Sequence, residues 1–198
     1  MKTKEFFKSY MEIFLSENSK VNLISKNDEK YLWEKHIYDS LSIEKFFDKY
    51  IKSLQGKSLL DIGTGGGFPS IPTALAYPEL QVYALDSIRK KINAIENIKS
   101  ELQIKNLHTI YDRAENINQK FDIITSRAVA SLKIVTEYAL PLLKTDGFFV
   151  AYKSIKIDEE IKDAQNIIKK LNAQIIDIID YKLPLADNFT RKLIVIKL

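Results

Sequence analysis

The feature that most constrains the fold is a glycine cluster that follows a short apolar run. The segment Leu60-Asp61-Ile62-Gly63-Thr64-Gly65-Gly66-Gly67-Phe68-Pro69 has the pattern of a buried strand, a tight turn and the start of a helix. Glycine permits the backbone angles of such a turn and lets a ligand lie against bare backbone. The spacing therefore predicts a strand, a ligand-binding turn and a helix, in that order.

The spacing of the glycines excludes two common nucleotide-binding motifs. A dinucleotide-binding Gly-x-Gly-x-x-Gly would need glycine where Phe68 stands, and a P-loop would need a Gly-Lys-Ser/Thr that does not follow. What remains is an acidic residue, Asp61, followed by Gly63, Gly65 and Gly67. This pattern resembles the first motif of Rossmann-like methyltransferases. The alternative is a purely structural turn.

An acidic residue at the end of the next apolar run supports a nucleoside ligand. This residue is Asp86, which stands 25 positions beyond Asp61. An acid at the carboxyl end of the second strand can accept hydrogen bonds from both ribose hydroxyls of a nucleoside cofactor. Asp86 could instead cap a helix that starts at Ser87. The two features together favour cofactor binding.

After residue 56 the chain alternates short apolar runs with stretches of helical periodicity. Such alternation predicts an α/β fold with a mostly parallel sheet and helices on both faces. The tail differs, because two β-rich runs, Ala173 to Ile179 and Lys192 to Leu198, are joined by a loop with Pro184, Asp187 and Asn188. We expect an antiparallel C-terminal hairpin there. The predicted parallel strands are Ser58 to Ile62, Gln81 to Leu85, Leu107 to Tyr111, Phe121 to Thr125 and Phe148 to Tyr152.

The first 55 residues read as an N-terminal helical extension. Apolar residues recur at helical spacing from Phe6 to Leu15 and again from Tyr31 to Phe46, on either side of a polar turn at 25–29. We therefore divide the chain into an extension, 1–55, and a core, 56–198, within one structural domain. The aromatic residues Phe46, Phe47 and Tyr50 are expected in the hydrophobic core.

Composition removes several classes of function. The chain has no cysteine, which excludes disulfides, thiolate metal sites and cysteine nucleophiles, including the nucleophile of pyrimidine C5 methylation. Its two histidines, His36 and His108, stand far apart, so no metal site is predicted. No apolar run reaches the roughly 20 residues of a membrane helix, and we expect a cytoplasmic protein.

The net charge of +4 suits an acidic partner such as nucleic acid, although lysine content is weak evidence. Lysine supplies all but four of the 30 basic residues, which is the usage of an AT-rich genome. The four arginines depart from that bias and are more informative. They are Arg89, Arg113, Arg127 and Arg191.

Seven ordered segments make the chain similar to one family, from Asn22 almost to the C-terminus. That family is the bacterial 16S ribosomal RNA guanine-N7 methyltransferases, also called glucose-inhibited division protein B. The segments are Asn22-Leu23-Ile24-Ser25, His36-Ile37-Tyr38-Asp39-Ser40, Asp61 to Pro72, Leu85-Asp86-Ser87 with Lys90, Arg113-Ala114-Glu115, Ser126 to Leu132, and Arg191-Lys192-Leu193-Ile194-Val195.

The resemblance implies a Rossmann-like class I methyltransferase that uses S-adenosyl-L-methionine and acts as a monomer on 16S ribosomal RNA or the small subunit. Gly63 and Phe68 would line the cofactor, and Ala114 and Glu115 would hold its adenine. Arg127 would lie where cofactor and substrate meet. We also expect His36 and Asp39 at this cleft as catalytic residues, and Lys153, Arg191 and Lys192 as RNA contacts.

Three positions depart from the family pattern, namely Ser70, Ser154 and Thr190. The first two stand where glycine is usual or common and could shift the backbone near the cofactor. None of the three removes a side chain assigned to chemistry.

Methylation of guanine N7 suits this set of residues. The attack of N7 on a sulfonium methyl group removes no proton, so no strong general base is needed. Arginine commonly reads the O6 and N7 edge of guanine, but N7 must stay free to attack. Arg127 is therefore expected to contact O6, a phosphate or the cofactor carboxylate. The Asp/Asn-Pro-Pro-aromatic motif of exocyclic amine methylation is absent, because its place reads Thr125-Ser126-Arg127-Ala128.

Plainer interpretations stay open at several positions. His36 could be an ordinary helix-face histidine, Asp39 could pair with Lys35, and Arg191 with Lys192 could form a solvated turn. Three other functions also remain: methylation of a small molecule or protein, a non-catalytic RNA-binding assembly factor, and, more distantly, an NAD-linked oxidoreductase.

Overall fold

A seven-stranded sheet forms the centre of the computed structural model, which describes residues 2–185 and 189–198. The strand order is β3-β2-β1-β4-β5-β7-β6. Strands β1 to β5 pair in parallel, whereas β7 is antiparallel to both β5 and β6. The strands are β1 Ser58–Ile62, β2 Gln81–Asp86, β3 Leu107–Tyr111, β4 Phe121–Arg127, β5 Leu143–Ser154, β6 Gln174–Lys182 and β7 Thr190–Lys197.

This sheet confirms the predicted α/β class, the parallel strands and the antiparallel C-terminal hairpin. The apolar runs predicted the parallel strands correctly because a parallel strand covered on both faces is apolar along its whole length. In the predicted hairpin loop, Pro184 is described, while Asp187 and Asn188 lie outside the described residues.

Helices cover both faces of the sheet. On the core they are α5 Ser70–Ala76, α6 Arg89–Glu101, α7 Leu132–Ala139 and α8 Asp158–Lys170. The N-terminal part holds α1 Lys8–Val21, α2 Lys26–Glu29, a π-helix Leu32–Tyr38, α3 Asp39–Leu41 and α4 Glu44–Tyr50. Short 3-10 helices span Glu5–Phe7, Ala114–Asn116 and Leu140–Leu142. None of the helices in the described ranges is long and apolar enough to cross a membrane.

Successive residues of a strand belong to two different hydrophobic clusters, one on each face of the sheet. Val150 belongs to the cluster that also contains Phe7 and Phe14 of the N-terminal part, whereas Phe149 belongs to the cluster with α7 and α8. Phe46 and Phe47 are buried in the first cluster, as predicted. The first 55 residues thus share a core with the sheet, and a boundary at residue 55 stays a prediction.

The helix predicted from Tyr31 to Phe46 is divided in the structure. It begins as the π-helix, and α4 starts only after a turn at Ser42. The hydroxyl of Ser40 donates to the carbonyl of His36 over 2.6 Å, and that of Ser42 donates to the carbonyl of Tyr38 over 3.2 Å. Serine hydroxyls that bond to nearby carbonyls compete with the regular helical pattern and often bend helices. Apolar spacing alone carried no sign of this interruption.

All four arginines lie at the carboxyl edge of the parallel strands. Arg89 follows β2, Arg113 follows β3 and Arg127 ends β4. Arg191 in β7 pairs with Ser154 at the end of β5 and so reaches the same edge. In open parallel sheets this edge is where ligands bind.

Candidate active site

The glycine turn after β1 has a backbone that suits glycine at three positions. Gly63, Gly65 and Gly67 have φ values of +66°, +59° and +86°. A Cβ at Gly63 would lie 2.6 Å from Cγ2 of Val129, which is a clash. At Gly65 the nearest atoms would be the carbonyl oxygen of Gly63 at 3.9 Å and Nζ of Lys91 at 4.0 Å, which is ordinary van der Waals contact. A methyl-sized group therefore fits over Gly65 without a clash, whereas one over Gly63 does not.

Asp86 ties the end of β2 to the glycine turn. Its Oδ2 accepts from the backbone N–H of Gly65 over 2.9 Å, and its Oδ1 accepts from that of Ile88 over 2.9 Å. The carboxylate therefore lies beside the backbone of Gly65 and also bonds to the backbone just before α6, which begins at Arg89 rather than at Ser87. The ribose contact of Asp86 stays a prediction.

Asp61 lies beneath the turn and is fully buried. Its Oδ1 accepts from the hydroxyl of Thr125 over 3.0 Å. Burial raises the pKa of this carboxyl to about 7. Because no part of Asp61 reaches the surface, it supports the turn from below, and its predicted cofactor contact is untested.

Ser70, at a position where the family usually has glycine, is hydrogen-bonded to the glycine turn, and a shift of the backbone near the cofactor stays a prediction. Ser70 is fully buried, and its hydroxyl lies 2.5 Å from the hydroxyl of Thr64, within the turn. The two side chains satisfy each other, so this departure adds a hydrogen bond under the turn.

Arg127, at the end of β4, joins the N-terminal part to the glycine turn. Its Nη1 donates to Oδ2 of Asp39 over 2.9 Å and to the carbonyl of Lys35 over 3.2 Å. Its guanidinium carbon lies 5.2 Å from the ring centroid of Phe68, the residue after the glycines. The sequence predicted that these residues converge, and the structure brings them together.

His36 is held as a neutral imidazole beside this arginine. Nη2 of Arg127 lies 3.3 Å from Nδ1 of His36, and because arginine has no acceptor, Nδ1 must accept. The proton of the neutral ring is then on Nε2. Burial, with the charge of Arg127 next, lowers the pKa of His36 to about 4. His36 is thus more than a helix-face histidine, and its ring also packs 5.0 Å from that of Phe68.

Asp39 is nearly buried and has both carboxylate oxygens engaged. Oδ2 pairs with Arg127, and Oδ1 accepts from the hydroxyl of Tyr181 in β6 over 2.6 Å. Lys35 pairs instead with Asp28 over 2.9 Å, so the pairing of Asp39 with Lys35 considered above is wrong. Tyr181 could not be found from the sequence, since nothing local to β6 marks a partner 142 residues away.

A cavity of about 540 Å³ opens between the N-terminal part, the ends of β4 and β5, and the C-terminal hairpin. Its size lies within the range of small-molecule sites. Of the predicted site residues, His36, Asp39, Arg127, Lys153 and Arg191 line it. Arg127 therefore borders both the glycine turn, through Phe68, and this cavity.

Two residues predicted to hold adenine lie outside this cavity. Ala114 and Glu115 belong to a short 3-10 helix after β3, where Ala114 is buried and Glu115 is exposed. They line a separate groove with Glu137 and Tyr138 of α7. Their contact with a cofactor stays a prediction.

The three predicted RNA contacts have different surroundings. Lys153 donates to Oε2 of Glu160 over 2.6 Å and to the carbonyl of Ala130 over 2.9 Å. Lys192 pairs with Asp180 over 2.6 Å. Arg191 makes no ion pair within the described part of the chain and stacks on a ring, with its guanidinium carbon 5.2 Å from the Phe189 centroid. Of the three, Arg191 has the charge most available to a ligand.

Comparison with known proteins places the chain in a family. The family model for rRNA small subunit methyltransferase G matches residues 3–184. The chain belongs to this family. Relatives named ribosomal RNA small subunit methyltransferase G include one from Thermoanaerobacter sp. (strain X514), 37% identical over 98% of this chain and 81% of its own length. Another, from Staphylococcus aureus (strain N315), is 38% identical over 91% of this chain and 76% of its own.

Solved structures that resemble this member of the family confirm its fold. One is M. jannaschii TYW2 in complex with AdoMet, with a TM-score of 0.60, 17% identity, and coverage of 80% of this chain and 74% of that one. Another is a putative RNA methyltransferase from Pyrococcus horikoshii, with a TM-score of 0.61, 10% identity, and coverage of 81% and 82%. At these identities the likeness shows the class I methyltransferase fold alone.

Proposed function

We propose that the chain transfers a methyl group from S-adenosylmethionine to N7 of a guanine in 16S ribosomal RNA. The observation that carries this proposal is the position of Arg127. Through Phe68 it borders the glycine turn, and through its guanidinium it borders the cavity. The chain belongs to a family of methyltransferases, and one side chain, that of Arg127, borders both the glycine turn and the cavity. Both facts favour transfer of a methyl group from a cofactor at the turn to a substrate in the cavity.

The glycine turn fits the cofactor. A Cβ added at Gly65 would meet nothing closer than 3.9 Å, so part of a nucleoside ligand can lie against bare backbone there, and the carboxylate of Asp86 lies within hydrogen-bond distance of the same turn. Bound S-adenosylmethionine supplies a sulfonium methyl group that a nucleophile can attack. The residues that would hold it are Gly63, Gly65, Phe68 and Asp86, with Ala114 and Glu115 at its adenine.

The polar side chains beside Arg127 already have hydrogen-bond partners within the protein, which suits a reaction that removes no proton from the substrate. Both oxygens of Asp39 are occupied by Arg127 and Tyr181, and Nδ1 of His36 is occupied by Arg127. A general base would need a free acceptor aimed at the substrate. Guanine N7 has a lone pair and needs no such base. Positioning of the reactants then dominates, and it can supply roughly 7–11 kcal/mol of a barrier.

In this mechanism Arg127 places the guanine and leaves N7 free. Its guanidinium donates to O6, to a phosphate or to the cofactor carboxylate, while Asp39 fixes its orientation. His36 supports the second nitrogen of the guanidinium. Arg191, Lys192 and Lys153 contribute positive charge along the RNA, which positions the strand without reading sequence.

We propose that the chain acts in the cytoplasm, because its proposed substrate is a ribosomal particle. We also propose that it acts as a monomer. The partner would be the small subunit or its 16S RNA, and the division into an extension, 1–55, and a core, 56–198, would separate part of the substrate cleft from the cofactor cleft.

The test is methyl transfer from labelled S-adenosylmethionine to small subunits purified from a strain that lacks the protein. We expect label in the RNA fraction and binding of S-adenosylhomocysteine by calorimetry. Tight cofactor binding without label in RNA would refute the RNA substrate and retain the fold. Absence of cofactor binding would refute the enzyme itself and favour an assembly factor.

A further inference from the structure

Among the described residues that line the cavity beside Arg127, one cation has no carboxylate partner within the described part of the chain. Lys35, Arg127 and Lys153 line the cavity and are each paired, with Asp28, Asp39 and Glu160. Arg191 also lines it and makes no ion pair with any described carboxylate, and its Nε is buried with no hydrogen-bond partner among the described residues. An anionic group of a ligand would find its counter-charge at Arg191.

An aromatic ring lies against this arginine. Phe189 lines the same cavity and leaves 48% of its surface exposed, so its ring is accessible to a ligand. Its ring centroid lies 5.2 Å from the guanidinium carbon of Arg191. Aromatic faces that flank a basic groove are the usual platform for unstacked RNA bases.

The strand register keeps Arg191 apart from its basic neighbour. Arg191 pairs across the hairpin with Tyr181, and Lys192 pairs with Asp180. Successive residues of a strand point to opposite faces, so Arg191 shares a face with Tyr181, which also lines the cavity. Lys192 is directed to the other face, where Asp180 neutralises it.

We propose that this cavity binds the target as a single nucleotide turned out of the RNA strand, with Phe189 stacking on a base and Arg191 binding a phosphate. The inference rests on the proposed function and adds the site that receives the substrate. Enzymes that act on a base commonly extrude it into a pocket, and the cost is low where the strand is already unpaired. Arg127 at the inner wall then lies next to the extruded guanine, and Phe189 and Arg191 lie at the hairpin side.

The test compares initial methylation rates of small subunits by the wild type, Phe189→Ala, Arg191→Gln and the control Lys197→Gln, at the far end of β7, where Lys197 pairs with Asp146. Loss of a stacking ring is expected to raise the KM for the subunit about tenfold. Loss of the phosphate contact is expected to raise it similarly and to weaken its salt dependence. The KM of Lys197→Gln for the subunit should stay within about twofold of the wild-type value, and the KM for S-adenosylmethionine should not change in any variant.

Unchanged KM values for the subunit in Phe189→Ala and Arg191→Gln would overturn the inference and leave the proposed function intact. If the wild type methylates no RNA, the proposed function fails, and the pocket is then tested by titration with guanosine 5′-monophosphate in magnetic resonance. Shifts at Arg127 and Tyr181, which also line the cavity, that are lost in the two variants would sustain the nucleotide site. Absence of such shifts would refute it.

Discussion

The hydroxyl of Tyr181 donates to Oδ1 of Asp39 over 2.6 Å, and the other oxygen of that carboxylate holds Arg127 at 2.9 Å. A residue of the C-terminal hairpin thus orients, through a carboxylate of the N-terminal part, the arginine at the end of β4. Asp39 is nearly buried, so these bonds act at low local dielectric and are correspondingly strong. Three distant parts of the sequence fix one guanidinium.

Tyr181→Phe is expected to lower kcat about tenfold. Removing a hydrogen bond to a charged group costs about 1.5–3 kcal/mol, and here the loss frees Asp39 and hence Arg127 to reorient. The Kd for S-adenosylhomocysteine should stay unchanged. Tyr152→Phe is the matched control, because it removes a buried hydroxyl that bonds to the carbonyl of Ser40 and not to Asp39. Equal losses of kcat in the two variants would argue against a positioning role for Tyr181.

Replacement of Arg127 is expected to abolish most of the methyl transfer. Arg127→Ala leaves Asp39 as an unpaired buried charge, so we expect a stability loss of about 3–5 kcal/mol as well as at least a hundredfold lower rate. Arg127→Lys keeps a positive charge near Asp39 and should be more stable than Arg127→Ala. It lacks the planar guanidinium group, however, and its methyl-transfer rate should remain at least tenfold below that of the wild type. Rates and denaturation curves check both variants, and a Lys variant with wild-type kcat would refute the geometric role.

Gly65→Ala is expected to separate cofactor binding from folding. Its φ of +59° costs an L-residue about 1–2 kcal/mol, but an added methyl group meets nothing closer than 3.9 Å. The methyl group instead enters the space proposed for the cofactor, so calorimetry should show at least tenfold weaker binding of S-adenosylhomocysteine. Gly56→Ala is the control, with φ +72° and no atom within 4 Å. It should lose similar stability and bind normally; equal binding by both would contradict the proposed cofactor position.

The stability of the protein should depend on pH through His36. Its pKa is lowered to about 4 in the folded state, against an ordinary value of 6.5. Between these values the unfolded chain binds a proton that the folded chain does not, so stability falls as the pH falls from about 6.5 to 4. Over this pH range the free energy of unfolding should fall by on the order of 3 kcal/mol more in the wild type than in His36→Gln, which cannot take up the proton. Parallel denaturation midpoints for the two proteins across this range would show that His36 is not held neutral.

The strands and the glycine turn were predictable because their signals are local. A strand buried on both faces is apolar throughout, and a turn with positive φ at Gly63, Gly65 and Gly67 selects glycine. The convergence of His36, Asp39 and Arg127 came from resemblance to a family, since their contacts span about 90 residues of sequence.

Other parts of the site left no local signal. The bonds of Tyr181 to Asp39 and of Lys153 to Glu160 exist only once the hairpin and α8 have docked. The π-helix Leu32–Tyr38 has the same apolar spacing as an ordinary helix over its short length. The hydroxyl pair of Thr64 and Ser70 was likewise invisible, although the serine itself stood out as a departure.

The most direct test of the central claim is to locate the methyl group on the RNA. Small subunits from a strain without the protein are incubated with the enzyme and S-adenosylmethionine, and the 16S RNA is digested and analysed by mass spectrometry. We predict one N7-methylguanosine at a single position, present with the wild type and absent with Arg127→Ala. A methyl group on another atom or another base, or several sites of modification, would contradict the account.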